Sequence, residues 1–175
     1  MGKKEINYLE NTISVDPGWN TGLAYWDGDE YPDTYIIEEP RFQKTKKDQL
    51  RLWYMFKLFE NYIANEYSPN SIIIEGVELW TGSSVSMTSA TRGDLFSLAY
   101  LVGGYVAIAC KYSIDVRFVY ARGAKAKGNK AEKETWKGQL NASALDKRIY
   151  RINGEKYPEH IREAVGMGFH CMGIL

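Results

Sequence analysis

Asp16, Glu75, His160 and Glu163 combine a side chain that can hold a cation or move a proton with a position that the surrounding residues make rigid. Asp16 ends the run Thr12-Ile-Ser-Val-Asp16 and is followed at once by Pro17-Gly18. A carboxylate placed there projects from a fixed backbone toward solvent, where it can hold a hard cation or a water at small desolvation cost. Taken by itself it serves equally well as the opening residue of an Asp-Pro-Gly turn, with Gly18 supplying positive φ. Glu75 is a second carboxylate, directly after Ile72-Ile73-Ile74. His160 and Glu163 are three residues apart, so on a helix they share one face. By themselves they also read as an exposed histidine and a capping acid near a helix start.

The elements that must position these groups follow from periodicity. Ile13 and Val15 alternate with Thr12, Ser14 and Asp16, the pattern of a half-buried strand, and Pro17-Gly18 stops it. Thr21 to Trp26 predicts a second strand, Asp27-Gly28-Asp29 a hairpin turn, and Thr34 to Ile37 a third strand, all antiparallel. From Lys46 to Tyr67 the apolar residues Leu52, Met55, Phe56, Phe59 and Ile63 recur every three or four positions, which predicts a helix ended by Ser68-Pro69-Asn70. Three consecutive isoleucines predict a strand buried on both faces, as in the parallel part of a helix-covered sheet. Ligands bind beyond the carboxyl ends of such strands, so Asp16 and Glu75 converge if their two strands are neighbours.

Gly82 to Gly93, rich in Ser and Thr, reads as a loop, and Asp94 to Tyr112 as a helix with Leu95, Leu98, Val102, Val106 and Ala109 on one face. Its small residues Ala99, Gly103, Gly104 and Ala107 invite close approach, by the sheet or by a second copy of the chain. Asp115 to Tyr120 predicts a fifth strand, Asn141 to Tyr150 a short helix, and Pro158 opens a last helix in which Ile161, Ala164, Val165 and Gly168 face the sheet. Gly166 and Gly168 weaken that helix and so imply tight apposition to another element.

A chain of 175 residues, 45% hydrophobic and 25% charged, is expected to fold as a single globular domain over 1–175 rather than to remain disordered. Its zero net charge hides a polarity: residues 1 to 40 carry two lysines against nine acids, net −7, and residues 117 to 151 carry ten lysines and arginines against three acids, net +7. The basic loop at 122–137, interrupted by glycines and carrying Trp136, suits the phosphates of a polyanion, as it also suits a solvated loop. Arg122, Lys125, Lys127, Lys130 and Lys137 are its candidate contacts. Two cysteines without metal-ligand spacing, Cys110 and Cys171, indicate neither a zinc site nor a disulfide framework. The uncharged run of roughly 16 residues between Asp94 and Lys111 falls short of the ~20 needed to span a bilayer, so no membrane association is expected. Met1-Gly-Lys-Lys-Glu5 begins no apolar stretch, and the expected location is the cytoplasm of a bacterial or phage-infected host cell.

The succession β-β-β-α-β-α-β-α with acids after the first strand, after the fourth and on the last helix resembles the ribonuclease H-like fold: a five-stranded mixed sheet, three antiparallel strands then parallel ones, flanked by helices. More narrowly it resembles the RuvC family of Holliday junction resolvases, particularly small phage-type members. The residues that carry the resemblance are Asp16-Pro-Gly with Thr21-Gly22, Ile-Ile-Ile-Glu75, Arg92-Gly93, Trp136-Lys-Gly-Gln-Leu and His160-x-x-Glu163-Ala-Val-Gly, in family order over nearly the whole chain. Asp-Pro-Gly with Thr-Gly also resembles the phosphate hairpin of actin-like ATPases, but the chain lacks room for their second domain.

The resemblance implies a magnesium-dependent endonuclease acting on branched DNA, four-way junctions or flaps, as a homodimer. It implies that Asp16, Glu75, His160 and Glu163 are catalytic and metal-binding, around two Mg²⁺ or Mn²⁺ ions. It also implies DNA contacts by Arg92 and by Trp80, the latter because Glu78 stands where an aromatic often touches the junction. Glu163 departs from the family's usual Asp by one methylene. The rival expectation is a nucleic-acid-binding protein that keeps the scaffold without the catalysis.

Overall fold

The computed structural model describes residues 7–38, 48–77, 94–120, 136–142 and 157–175. Strands β1 (Thr12–Asp16), β2 (Thr21–Trp26), β3 (Asp33–Ile37), β4 (Ser71–Glu75) and β5 (Asp115–Val119) form one sheet in the order β3-β2-β1-β4-β5. β1, β2 and β3 pair antiparallel, while β1–β4 and β4–β5 pair parallel. This is the mixed sheet expected from the residue pattern. The isoleucine strand lies beside the first strand, Val15 opposite Ile74, so the two carboxylates do share a sheet end.

Helices cover both faces. α1 (Asp48–Asn61) runs into a π-helical turn, Tyr62–Tyr67, which Ser68 ends in the left-handed conformation at φ 45°. α1 packs on α2 (Asp94–Lys111), and with Ile13, Val15, Leu23, Ile72 and Ile74 they enclose one core. α3 (Trp136–Ala142) and α4 (Glu159–Cys171) cover the opposite face, where Ala24, Trp26, Ile73 and Val119 join Ile161, Val165 and Phe169 in a second core. Side chains alternate across a strand. With Ile13 and Val15 on the α1 side, Ser14 and Asp16 face α4; with Ile72 and Ile74 on the α1 side, Ile73 and Glu75 face α4 too.

Two differences from the sequence reading concern the helices. α3 runs from Trp136 to Ala142, and of the helix expected over Asn141 to Tyr150 the residues 143–150 lie outside the described residues. Trp136 and Leu140, one turn apart, are both buried against the second core, and that apolar pair starts the helix inside the segment expected to be a basic loop. On α2, the small residue Gly104 admits the ring of Phe56 from α1 rather than the sheet.

Ser14 is a polar side chain without exposure in the middle of β1. Its hydroxyl donates to the Ala164 carbonyl of α4 at 2.7 Å and accepts from Trp26 Nε1 at 2.9 Å, tying the last helix to two strands. A buried hydrogen bond left half-made costs more than the bond contributes. Ser14→Ala is expected to lower the unfolding free energy by ~1–3 kcal/mol in urea denaturation followed by circular dichroism; an unchanged midpoint would contradict this role.

Candidate metal centre

Asp16 sits at the end of β1 with its side chain nearly buried, and its cross-strand partner on β2 is Gly22. A Cβ at Gly22 would overlap the carbonyl of His160, so only glycine lets the first turn of α4 rest against β2 beside Asp16. Gly168 does the same further along α4, where a Cβ would meet the indole of Trp26. The turn after Asp16 is held by Thr21, whose hydroxyl donates to the Gly18 carbonyl at 2.7 Å and lies 2.9 Å from the Tyr105 hydroxyl of α2.

This docking brings His160 Nδ1 to 2.7 Å from Asp16 Oδ2. One turn further along α4, Glu163 reaches the same end of the sheet. Asp16, Glu75 and Glu163 each present a carboxylate oxygen, and the three oxygens lie within 4.8 Å of one another. α3 contributes Lys137, whose Nζ is 2.6 Å from Glu163 Oε2 and 3.0 Å from Glu75 Oε2. A cavity of about 330 Å³ opens over the group, walled by Pro17, Gly76, Val77, Leu95 and Leu98.

The electrostatics follow from crowding. Burial, together with the hydrogen bond and charge of Asp16, pushes the Glu75 carboxyl up to about 7, against the opposing pull of Lys137. Lys137 is held above the ordinary lysine range: burial alone would lower it, but the charges of Glu75, Glu163 and Asp16 outweigh that cost. His160 is raised by its hydrogen bond to Asp16, with burial acting the other way. A hard divalent ion fits the donors present, since all three are carboxylate oxygens, close enough to share one ion and open to the cavity. The group is consistent with a single divalent-metal site.

Of the residues singled out in the sequence, Asp16, Glu75 and Glu163 are brought together and His160 is paired with the first of them. Lys137, expected among phosphate contacts of a basic loop, is on a helix with its ammonium between two acids. Trp80, Arg92, Arg122, Lys125, Lys127 and Lys130 lie outside the described residues. Sequence reasoning passes over Ser14, although a serine flanked by Ile13 and Val15 in a buried strand is itself a signal of a hydrogen bond to a covering helix.

No protein-family model matches the sequence, and no curated protein matches it. Solved structures do. T. thermophilus RuvC in complex with a Holliday junction substrate is 11% identical, covers 93% of this chain and 93% of its own, and superposes with a TM-score of 0.61. A second Thermus thermophilus RuvC structure is also 11% identical, over 93% of this chain and 96% of that one, with a TM-score of 0.55. The yeast mitochondrial Holliday junction resolvase is 12% identical over 98% and 82%, with a TM-score of 0.51. The chain therefore has the ribonuclease H-like fold of the RuvC resolvases, and it carries an acidic cluster at the end of its sheet. Among the described residues no helix is long and apolar enough to cross a membrane.

The raised Glu75 and His160 act in the same direction. Each binds its proton more tightly in the folded chain than in the unfolded one, so stability falls as pH rises through the window. For Glu75 that window runs from 4.5 to about 7, and for His160 from 6.5 upward. In chelator the melting temperature is expected to decline from pH 5 to pH 8, and Mg²⁺ to restore more of it at pH 8, where Glu75 is ionised. A flat profile in differential scanning fluorimetry, or equal Mg²⁺ stabilisation at both ends, would contradict the assignment.

Proposed function

We propose that the protein is a metal-dependent, structure-selective DNA endonuclease that cuts phosphodiester bonds in branched DNA, as a Holliday junction resolvase does. The observation that carries this reading is the meeting of Asp16, Glu75 and Glu163, from two strands and a helix far apart in sequence, at the carboxyl end of a RuvC-like sheet. Mg²⁺, with Mn²⁺ as a substitute, would be held by these three carboxylates and would supply an activated water and offset charge on the phosphodiester. His160 lies with Nδ1 2.7 Å from Asp16 Oδ2, and that hydrogen bond favours its protonated form, which would place a positive charge where a phosphate would arrive. Leu95, Leu98 and Val77 give the cavity an apolar wall.

The substrate would be held largely through its backbone. Arg122, Lys125, Lys127 and Lys130 belong to the net-positive stretch 117–151 and would contact phosphates, with Trp80 and Arg92 at the branch point. The chain would work as a homodimer, one copy per opposed strand of a four-way junction. Phe96 and Tyr100, on one face of α2 at 64% and 69% exposure, are the apolar surface a second copy would cover. The cell compartment would be the cytoplasm of a bacterium or a phage-infected host. One feature favours a non-catalytic nucleic-acid-binding protein instead: Lys137 already balances two of the three acids.

Nicking of four-way, flap and linear duplex DNA separates these readings. Wild-type protein is expected to cut the branched substrates in Mg²⁺ or Mn²⁺ and to spare linear duplex, while Asp16→Asn and Glu163→Gln lose roughly 100-fold or more in rate, ~3 kcal/mol of transition-state stabilisation, with the fold retained by circular dichroism. Neutralising Lys125, Lys127 and Lys130 together should weaken binding to every substrate. Junction binding without metal-dependent cutting would leave only the binding protein.

A further inference from the structure

Lys137 is the one described residue of the acid cluster whose place is not explained by holding a metal ion, a proton or DNA. Its ammonium touches two of the three carboxylates, and the third, Asp16, is engaged by His160. We propose that the Lys137 ammonium is a built-in cation of this centre, standing where a second metal ion would otherwise stand, so that the acid trio takes one divalent ion and not two. The inference rests on the metal-centre reading given above and sharpens it.

Geometry supports the substitution. A two-ion centre needs cations ~4 Å apart with carboxylates bridging them. Here the facing oxygens of Glu75 and Glu163 are already bridged, by Nζ at 3.0 and 2.6 Å. A divalent ion bridging those same two oxygens would be in contact with the ammonium, and like charges at that separation expel one another.

The lysine is also fixed where it is. Trp136, the residue before it, is buried at 2% exposure beside Leu140 and the α4 residues, so the start of α3 is anchored in the core rather than free to swing aside. Its own side chain is mostly covered, at 31% exposure, which is unusual for a lysine without a structural partner.

Charge balance gives the same answer. Three carboxylates carry a formal −3 and Lys137 +1. One divalent ion brings the group to zero, and a second would leave it at +2 before any proton on His160 is counted. Without the ammonium, the same trio would stand at −3 and could accept a second cation, as carboxylate clusters do when charge count and cavity permit.

The test is a count of bound Mn²⁺ on the intact chain, by isothermal titration calorimetry and by the loss of free Mn²⁺ signal in electron paramagnetic resonance, with no DNA and no turnover. Wild type and Lys137→Arg are expected to bind one ion per chain, Lys137→Met two, and Asp16→Asn to lose the wild-type ion. Lys137→Gln replaces Lys137→Met if circular dichroism shows the latter unfolded. Two ions in the wild type overturn the inference while leaving the metal centre standing. One ion in a folded Lys137→Met or Lys137→Gln overturns it as well, because the ammonium would then not be what limits the count. No ion in any protein overturns the metal-centre reading itself.

Discussion

Three carboxylate oxygens within 4.8 Å of one another repel, and nothing else about this end of the sheet can be understood without that repulsion. At an effective dielectric of ~20 each pair of full charges at such a distance costs about 3 kcal/mol. A fold that holds the three together must supply compensation at the site. Lys137 does so through two ion pairs and His160 through its hydrogen bond to Asp16, while burial first, and the hydrogen bond and charge of Asp16 second, push the Glu75 carboxyl up to about 7. Three carboxylates against one ammonium leave the centre formally short of positive charge. A divalent cation completes it, and the energy stored in the repulsion becomes affinity for the ion.

The backbone devices around the cluster serve this single arrangement. Strand parity sends Asp16 and Glu75 to the same face, parallel pairing of β1 with β4 puts them at the same end, and the missing side chain at Gly22 lets α4 come close enough to bring His160 and Glu163 over them. Ser14 then locks the helix by accepting from Trp26 and donating to Ala164. Each device is local, yet the strand pairing and the serine lock act between segments some 60 to 150 residues apart, so the site exists only when the whole sheet and both covering helices are in place.

How much of this is legible in the residues alone depends on whether the signal is periodic. The five strands, the α1 and α2 stripes and the last helix all announce themselves by alternation or by three- and four-residue spacing, and they stand close to where that spacing puts them. So do the three acids, because each closes or rides on such an element. Lys137 does not, since a helix of seven residues held by one Trp136–Leu140 pair leaves too short a pattern to separate from the glycine- and lysine-rich run before it. The closeness of Gly22 to His160 has no local signature either: a glycine in a strand reads as a weak strand until the helix above it is known.

Anomalous diffraction from crystals soaked in Mn²⁺ decides whether the acid trio is a divalent-metal site. An anomalous difference peak is expected within coordinating distance of carboxylate oxygens of Asp16, Glu75 and Glu163, absent from crystals of Asp16→Asn soaked in the same way. A wild-type map with no peak there, or with manganese bound only elsewhere on the chain, would contradict the assignment.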